Sequence, residues 1–253
     1  MKYCKDFIVV GKEMIRSDLF ILKLQYQEEV LPEIKPGQFV EILIKDKKDV
    51  LLRRPISIHD VSKENNQISL VIQIVGKGTE ELSKIEMGNS LNLIFPLGNG
   101  FSLIGNKVLL IGGGVGAAPL LYLARCLKEK GTAFNTLIGS RDTIQLFNKD
   151  KFSDLGPLHI ATENGSCGFK GLVTEHPIME EDFDAVYCCG PTIMMQKVAS
   201  IMEKRNIPCF VSLEHKMACG FGVCLCCVVD TDTGNKRTCI NGPVFLSSEL
   251  KNF

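Results

Sequence analysis

The hydrophobic positions of the chain change their period near residue 100. Before that point, apolar or alternating runs of strand length follow one another at Leu19–Tyr26, Gln38–Ile44, Leu51–Ile58, Ile68–Val75 and Ser90–Phe95. Runs of this length and period predict β-strands, and several in succession indicate a barrel or a sandwich. One short helix fits at Glu80–Ile85.

After a connector at Pro96–Gly100, strands alternate with helices. Strands are expected at Val108–Ile111, Phe134–Ile138, Leu158–Ala161, Ala185–Cys188 and Cys209–Leu213, and helices at Ala117–Lys128 and Thr192–Arg205. This alternation is typical of a parallel sheet with crossover helices. From Glu214 to Leu246 the pattern stops, and we expect neither sheet nor helix there.

Length and composition fit a folded protein of two domains with a short third region. The 253 residues divide at the changes of pattern into 1–100, 101–213 and 214–253, and 45% of them are apolar. Twenty-nine basic and twenty-nine acidic residues cancel, which argues against nucleic-acid binding. The sequence shows no signal-peptide core and no membrane span, so we expect a cytoplasmic protein whose eleven cysteines are reduced thiols or metal ligands.

The cysteines near the carboxyl end have a characteristic spacing. Four residues separate Cys219 from Cys224, two separate Cys224 from Cys227, and eleven more precede Cys239. This is the C-x4-C-x2-C…C pattern of plant-type 2Fe-2S sites, in which four thiolates hold two irons. A structural zinc site is the main alternative, although zinc sites more often use two short-spaced pairs. Cys226 fits the spacing less well than Cys227 as the third ligand.

Two glycine-containing loops follow predicted strands of the second domain. The first contains Gly112, Gly113, Gly114 and Gly116, and the second is Cys189-Gly190-Pro191. Glycines at a strand-to-helix turn let a pyrophosphate approach the backbone amides, and ligands of open α/β sheets lie at this edge. The first loop does not match G-x-G-x-x-G, so a tight turn without a ligand remains an alternative.

Two weaker motifs lie in the first domain. Arg54-Pro55-Ile56-Ser57 falls within a predicted strand, and Gly78-Thr79 precedes the short helix. Each motif alone is more often a surface arginine or an ordinary turn. Their order along the chain, followed by the glycine loop and C-G-P, resembles the ferredoxin-NADP reductase superfamily over almost the whole length.

That resemblance implies a β-barrel FAD-binding domain followed by an α/β NAD-binding domain. It implies that Arg54, Pro55, Ile56 and Ser57 contact the flavin and its phosphates. It also implies that Val71, Ile72 and Gln73 lie along the cofactor, and that Gly78 and Thr79 receive the pyrophosphate.

Within the superfamily, the short cysteine-rich tail is similar to that of the electron-transfer subunits of B-type dihydroorotate dehydrogenases. The shared segments are Leu52 to Ser57, Gly98 to Phe101, Gly165 to Gly171 and Glu214 to Cys227. The resemblance implies FAD, a 2Fe-2S cluster and NAD as cofactors. It further implies an FMN-containing catalytic subunit as partner, in a heterotetramer of two subunits of each kind that serves pyrimidine synthesis.

Two alternatives stay open. One is the small subunit of an NADPH-dependent ferredoxin or sulfide reductase complex, whose first cluster ligand is often an aspartate where this chain has Cys219. Ser140-Arg141 after the second strand of the sheet could accept a 2′-phosphate, so NAD rather than NADP rests on the family. The other alternative is a non-catalytic docking module stapled by zinc.

Overall fold

The first part of the chain is a closed antiparallel barrel. A computed structural model describes residues 1–28, 30–45, 47, 49–251 and 253. The barrel strands are β1 (Tyr3–Arg16), β2 (Leu19–Tyr26), β3 (Phe39–Ile42), β4 (Arg54–Ser62), β5 (Gln67–Gln73) and β6 (Ser90–Leu97). They are hydrogen-bonded in the order β1-β2-β5-β4-β3-β6, and β6 closes on β1. The predicted barrel is therefore confirmed.

A short helix, α1 (Lys77–Ser83), connects β5 to β6. It begins three residues before the predicted helix, because Gly76 is still extended and Thr79 organises the first turn. The Thr79 hydroxyl accepts a hydrogen bond from the Val75 amide at 2.9 Å and donates one to the Gly76 carbonyl at 3.0 Å. These bonds satisfy backbone groups that a helix start leaves without partners.

The second part is a sheet of seven strands, of which six are parallel. They are β7 (Lys107–Gly113), β8 (Ala133–Ser140), β9 (Leu158–Thr162), β10 (Phe169–Lys170), β11 (Ala185–Cys189), β12 (Cys209–Ser212) and the antiparallel β15 (Val244–Leu246). The order is β10-β9-β8-β7-β11-β12-β15. The predicted parallel sheet is confirmed as well.

Helices cover both faces of this sheet. On one face lie α2 (Leu120–Lys130) and α3 (Lys149–Leu155), and on the other lies α4 (Thr192–Lys204). Strand β7 is buried on both sides: Val108 and Leu110 pack toward α2, whereas Leu109 and Ile111 pack toward α4. A strand buried on both faces needs a continuous apolar run, which is what the sequence has there. In the part of the chain that the structure describes, no helix has the length and apolar character to cross a bilayer.

The carboxyl-terminal region is more regular than its sequence predicts. It contains the hairpin β13 (Val228–Thr231) and β14 (Gly234–Arg237), the short helix α5 (Thr238–Asn241), and β15. The prediction that residues 214–246 form neither sheet nor helix is wrong. The elements are only three or four residues long, too short for a period to appear, and β15 forms because it pairs with β12.

The barrel and the sheet domain share a buried interface. Leu19, Ile21 and Val71 of the barrel belong to the same apolar cluster as α2 and α3. Arg125 of α2 binds the carboxylate of Asp60 on β4 at 3.0 and 2.8 Å. These contacts join the two domains into one body.

His59 of β4 lies at the centre of this interface. Its Nδ1 donates to the Ala118 carbonyl at 2.6 Å, and its Nε2 accepts from the Asn148 amide at 2.9 Å. The ring is fully buried, and burial lowers the pKa of His59 to about 4. The ring is therefore neutral at physiological pH, which suits one donated and one accepted bond.

We predict that the stability of the protein depends on the protonation of His59. The unfolded chain protonates this ring near pH 6.5 and the folded chain near pH 4, so the free energy of unfolding falls as the pH drops between these values. The full loss is roughly 3 kcal/mol. Urea unfolding across this range checks it, with His59→Gln expected to give a flatter profile. Equal slopes for the two proteins would contradict the assignment.

Candidate functional site

A large cleft opens at the carboxyl ends of β7, β8 and β11. Its volume is about 910 Å³, and its walls include Gly113, Gly114 and Gly116 from one loop and Gly190 and Pro191 from the other. The two predicted loops therefore meet at one edge of the sheet, as the parallel topology requires. We call this the larger cleft.

The glycines of these loops let the two loops pack closely against each other, in addition to leaving the backbone open to a ligand. A Cβ on Gly116 would lie 2.5 Å from the Gly190 Cα, and one on Gly113 would lie 2.8 Å from the Pro191 ring. Side chains at these positions would thus push the two loops apart. Gly114 differs, because its φ is +54° and a Cβ there would meet nothing within 4 Å. Gly112 lies within β7 and does not line the cleft.

A second cleft, the smaller cleft, lies between the barrel and the sheet domain. Its volume is about 310 Å³. The barrel side is formed by Arg54, Pro55, Ile56, Ser57, Val71, Gln73 and Thr79, and the facing wall includes Val115, Pro119 and Cys189. Nearly all residues predicted in the first domain are thus brought together. Two residues are exceptions. The side chain of Ile72 is fully buried in the barrel core, and Gly78 lies beneath the Arg54 side chain and does not line the cleft.

Gly78 allows Arg54 to lie across the first turn of α1. A Cβ on Gly78 would be 2.1 Å from the Arg54 Nε, well inside van der Waals contact. The guanidinium also donates to the Leu52 carbonyl at 2.6 Å. These contacts hold the Arg54 side chain at the edge of the smaller cleft, so its positive charge has a fixed position there.

The four predicted cysteine ligands influence one another electrostatically. Cys224 acts on Cys219, and both Cys227 and Cys219 act on Cys239. The Cys239 amide donates to the Cys227 sulfur at 3.4 Å. Cys226 is exposed, and none of these contacts involves it. Among the residues with described positions, no three His, Cys, Asp or Glu side chains form a single-ion site.

The loop from Cys219 to Cys227, called the cluster loop from here on, favours the thiolate form of Cys219. Burial by itself would raise the pKa of Cys219, but backbone N–H groups of Cys224, Phe221 and Val223 donate to the sulfur and lower the pKa to about 6. The bond from the Val223 amide is 3.3 Å long. Gly220 and Gly222 both have positive φ, which lets the loop curl around the sulfur.

Two of the thiols are part of an apolar core. Cys227 and Cys239 are 2% and 0% exposed and pack with Phe39 and Leu97 of the barrel. Phe39 also lines the smaller cleft, as does Met217, which packs against the same core. The buried thiols are therefore separated from the smaller cleft by one layer of side chains.

Two acidic residues of the site are absent from the sequence prediction. Glu41 of β3 is fully buried against Gly220, and its carboxylate oxygens have no hydrogen-bond partner within the described residues. Burial raises the pKa of Glu41 to about 7, Arg53 opposes this rise, and Cys219 adds to it. Glu214 lines both clefts, and desolvation of its carboxylate by the surrounding protein raises its pKa.

Comparison with known protein families agrees with this arrangement. Residues 6–101 match the model of the oxidoreductase FAD-binding domain. Residues 214–251 match the model of the iron-sulfur cluster binding domain of dihydroorotate dehydrogenase B. The first segment is the barrel, and the second contains the four thiols.

Whole-chain relatives extend the match. The electron transfer subunit of dihydroorotate dehydrogenase B (NAD(+)) from Clostridium acetobutylicum is 42% identical over 94% of both chains. The subunit of the same name from Shouchella clausii is 38% identical over 96% of both.

Solved structures show the same fold. A chain from the NADH-dependent reduced ferredoxin-NADP oxidoreductase, described in work on flavin-based electron bifurcation, is 34% identical with a TM-score of 0.87. The match covers 97% of this chain and 89% of that one. The FAD/NAD-binding domain of a Vibrio cholerae nitric oxide dioxygenase shares the fold at 18% identity and a TM-score of 0.70, over 80% of this chain and 94% of that one.

The identity and coverage of the curated relatives, together with the matched cluster region, establish the family. The chain belongs to the electron transfer subunits of dihydroorotate dehydrogenase B.

Proposed function

We propose that this chain passes electrons between NAD(H) and an FMN-containing catalytic subunit, through FAD in the smaller cleft and a 2Fe-2S cluster on the four thiols. One observation carries the proposal, namely the continuous order of the three sites. Gln73, Val115 and Glu214 line both clefts, so the two clefts adjoin. Phe39 then links the smaller cleft to the buried thiols.

The smaller cleft suits a flavin nucleotide. Arg54, which lies across the first turn of α1 at Gly78, would hold phosphate charge, and the apolar Val71, Val115 and Pro119 would cover ring faces. Bound FAD supplies the conversion between a two-electron hydride and single electrons. The Thr79 hydroxyl is already bonded within its own turn, so it would position this turn for the phosphates.

The larger cleft suits a dinucleotide. Its glycine loops leave room for a pyrophosphate, and helix α4 begins directly after Pro191, so that its first residues, Thr192 to Met194, line the cleft at the helix end that favours anions. Relatives in the family carry NAD(+) in their name, which supports NAD as the physiological partner. Val115 and Glu214, at the junction of the clefts, would orient the nicotinamide toward the flavin.

The four thiols suit two irons better than one zinc ion. Their spacing is that of plant-type 2Fe-2S sites, and the segment that contains them matches the iron-sulfur cluster binding domain of dihydroorotate dehydrogenase B. Four-thiolate zinc sites more often use two short-spaced pairs. The hydrogen bond from the Cys239 amide to the Cys227 sulfur, and the burial of both residues, favour Cys227 over Cys226 as the third ligand.

Apolar side chains surround the exposed half of this site. Phe221, Val223 and Leu225 are 41%, 73% and 62% exposed and belong to the cluster loop. Exposed apolar groups this close together are typical of a docking surface, and here they would face the catalytic subunit. That subunit would handle dihydroorotate and orotate, in a cytoplasmic heterotetramer of two subunits of each kind.

A second candidate function rests on the structural relative with 34% identity. A reduced ferredoxin-NADP oxidoreductase would use the same barrel, sheet and thiols but a different partner. The higher identity of the dihydroorotate dehydrogenase B relatives and the matched cluster model favour the first candidate. The partner that co-purifies distinguishes the two.

We predict that Gly78→Ala weakens FAD binding and that Gly76→Ala does not. The added methyl at residue 78 would displace Arg54, whereas residue 76 is extended and open. Loss of one charge-assisted contact corresponds to roughly tenfold to hundredfold weaker binding. Fluorescence titration of the flavin-free variants with FAD measures it. Equal affinities for the two variants would show that Arg54 does not hold the cofactor.

We predict that Cys227→Ser abolishes the cluster and that Cys226→Ser leaves it intact. The first change removes a buried sulfur next to Cys239, and the second removes an exposed one. Iron and acid-labile sulfide analysis of anaerobically purified protein, with the visible circular dichroism spectrum, reports the result. A colourless, zinc-containing wild type would refute the cluster.

The proposed function is tested by assembly with a catalytic subunit. Co-expression with an FMN-containing dihydroorotate dehydrogenase from the same cell should yield a complex that couples dihydroorotate oxidation to NAD+ reduction. Neither subunit alone should do so. Co-purification with a ferredoxin-dependent partner instead, without this coupled activity, would favour the second candidate.

A further inference from the structure

Asn99, in the connector between the barrel and the sheet domain (here called the linker), makes four hydrogen bonds to the segment that follows Cys239. The Asn99 side-chain amide donates to the carbonyls of Asn241 at 2.7 Å and Val244 at 2.8 Å. Its side-chain oxygen accepts from the Val244 amide at 3.3 Å, and its own backbone amide donates to Gly242 at 2.7 Å. All of these partners are backbone groups more than 140 residues away in sequence.

The linker itself is attached to the barrel. Gln38 donates to the Gly98 carbonyl at 2.8 Å, and the Phe101 amide donates to Pro36 at 2.7 Å. Gly98 has a φ of +79°, and a Cβ there would lie 2.5 Å from the Pro243 ring. The barrel and the 241–244 segment are thus in direct backbone contact around Asn99.

The segment that Asn99 holds contributes to two sites at once. Cys239 lies two residues before Asn241, in the same short helix α5. Pro243 lines the smaller cleft, and its carbonyl accepts from Leu213, the residue before Glu214. A shift of this segment would move Cys239 relative to the barrel residues that form most of the smaller cleft, such as Arg54 and Ser57.

We propose that Asn99 is a positioning residue that sets the distance between the smaller cleft and the Cys227–Cys239 thiols, and with it the rate of electron transfer between them. This inference rests on the proposed function. When the chain is driven by NADH, the hydride would pass to bound FAD and NAD+ would leave. The two electrons would then pass one at a time to the irons held by the thiolates and on to the partner, and the single proton of the hydride would be released to water.

Two variants of Asn99 separate its hydrogen bonds from its volume. Asn99→Ala removes all three side-chain bonds. Asn99→Asp keeps the shape and the acceptor for Val244 but removes both donors and turns a charge toward two carbonyls. Asn106→Ala is the matched control, because Asn106 is exposed and its side chain makes no hydrogen bond among the described residues.

The first measurement is hydrogen exchange on the purified holoprotein. Both Asn99 variants should exchange the amides of residues 241, 242 and 244–246 roughly tenfold to hundredfold faster, as expected from the loss of two or three ordinary hydrogen bonds. The control should match the wild type. Unchanged exchange in both variants would show that Asn99 does not hold this segment.

The second measurement is anaerobic stopped-flow reduction by NADH, with flavin and cluster absorbance followed separately. Flavin reduction should keep its wild-type rate and NADH dependence, and cluster reduction should slow by roughly tenfold or more. A general loss of structure would slow both steps or lower cofactor content. Equal cluster reduction rates in variants and wild type would overturn the inference.

The outcomes also separate this inference from the proposed function. A wild-type protein without flavin or cluster would remove the proposed function itself. A wild type that reduces its cluster normally, with variants that behave identically, would remove only the role of Asn99.

Discussion

The return of the chain from the cluster loop to the edge of the second sheet determines the geometry of the whole site. Strand β15 pairs antiparallel with β12, with Phe210, Val211 and Ser212 opposite Leu246, Phe245 and Val244. Because the preceding residues include Cys239 and Pro243, this pairing fixes a thiol and a cleft wall to the same sheet that carries the two glycine loops. The barrel forms the remaining walls of both clefts and packs against the buried thiols. Each of the three sites is therefore built from the barrel together with a later part of the chain.

The regular elements could be predicted because their signals are local. Strand β2 has the predicted bounds, Leu19–Tyr26, and helix α4 ends one residue before the predicted end. Both are long enough for their hydrophobic period to be read. Strand β1 is not among the predicted strands, because bulges near Gly11 and Arg16 break the alternation of its fourteen residues.

The residues of the candidate site also divide into those with a local sequence signal and those without one. The cysteine spacing and the R-P-I-S segment could be read because cluster and phosphate binding place particular residue types at short, fixed intervals. Glu41, Phe39 and Asn99 could not be found in this way. Each acts on a residue far away in sequence, such as Gly220, Cys239 or Val244, and ordinary strand or linker positions give no sign of such contacts.

The small core that joins Phe39 and Leu97 to Cys227 and Cys239 has a consequence for biogenesis. The surroundings of two of the four proposed cluster ligands are made from the outside of the barrel, so they do not form until the barrel has closed. With the irons on these thiols, as proposed, a nascent chain would complete its barrel before iron and sulfide are delivered to it. Maturation of this subunit would follow a set order, with the inorganic cofactor inserted late.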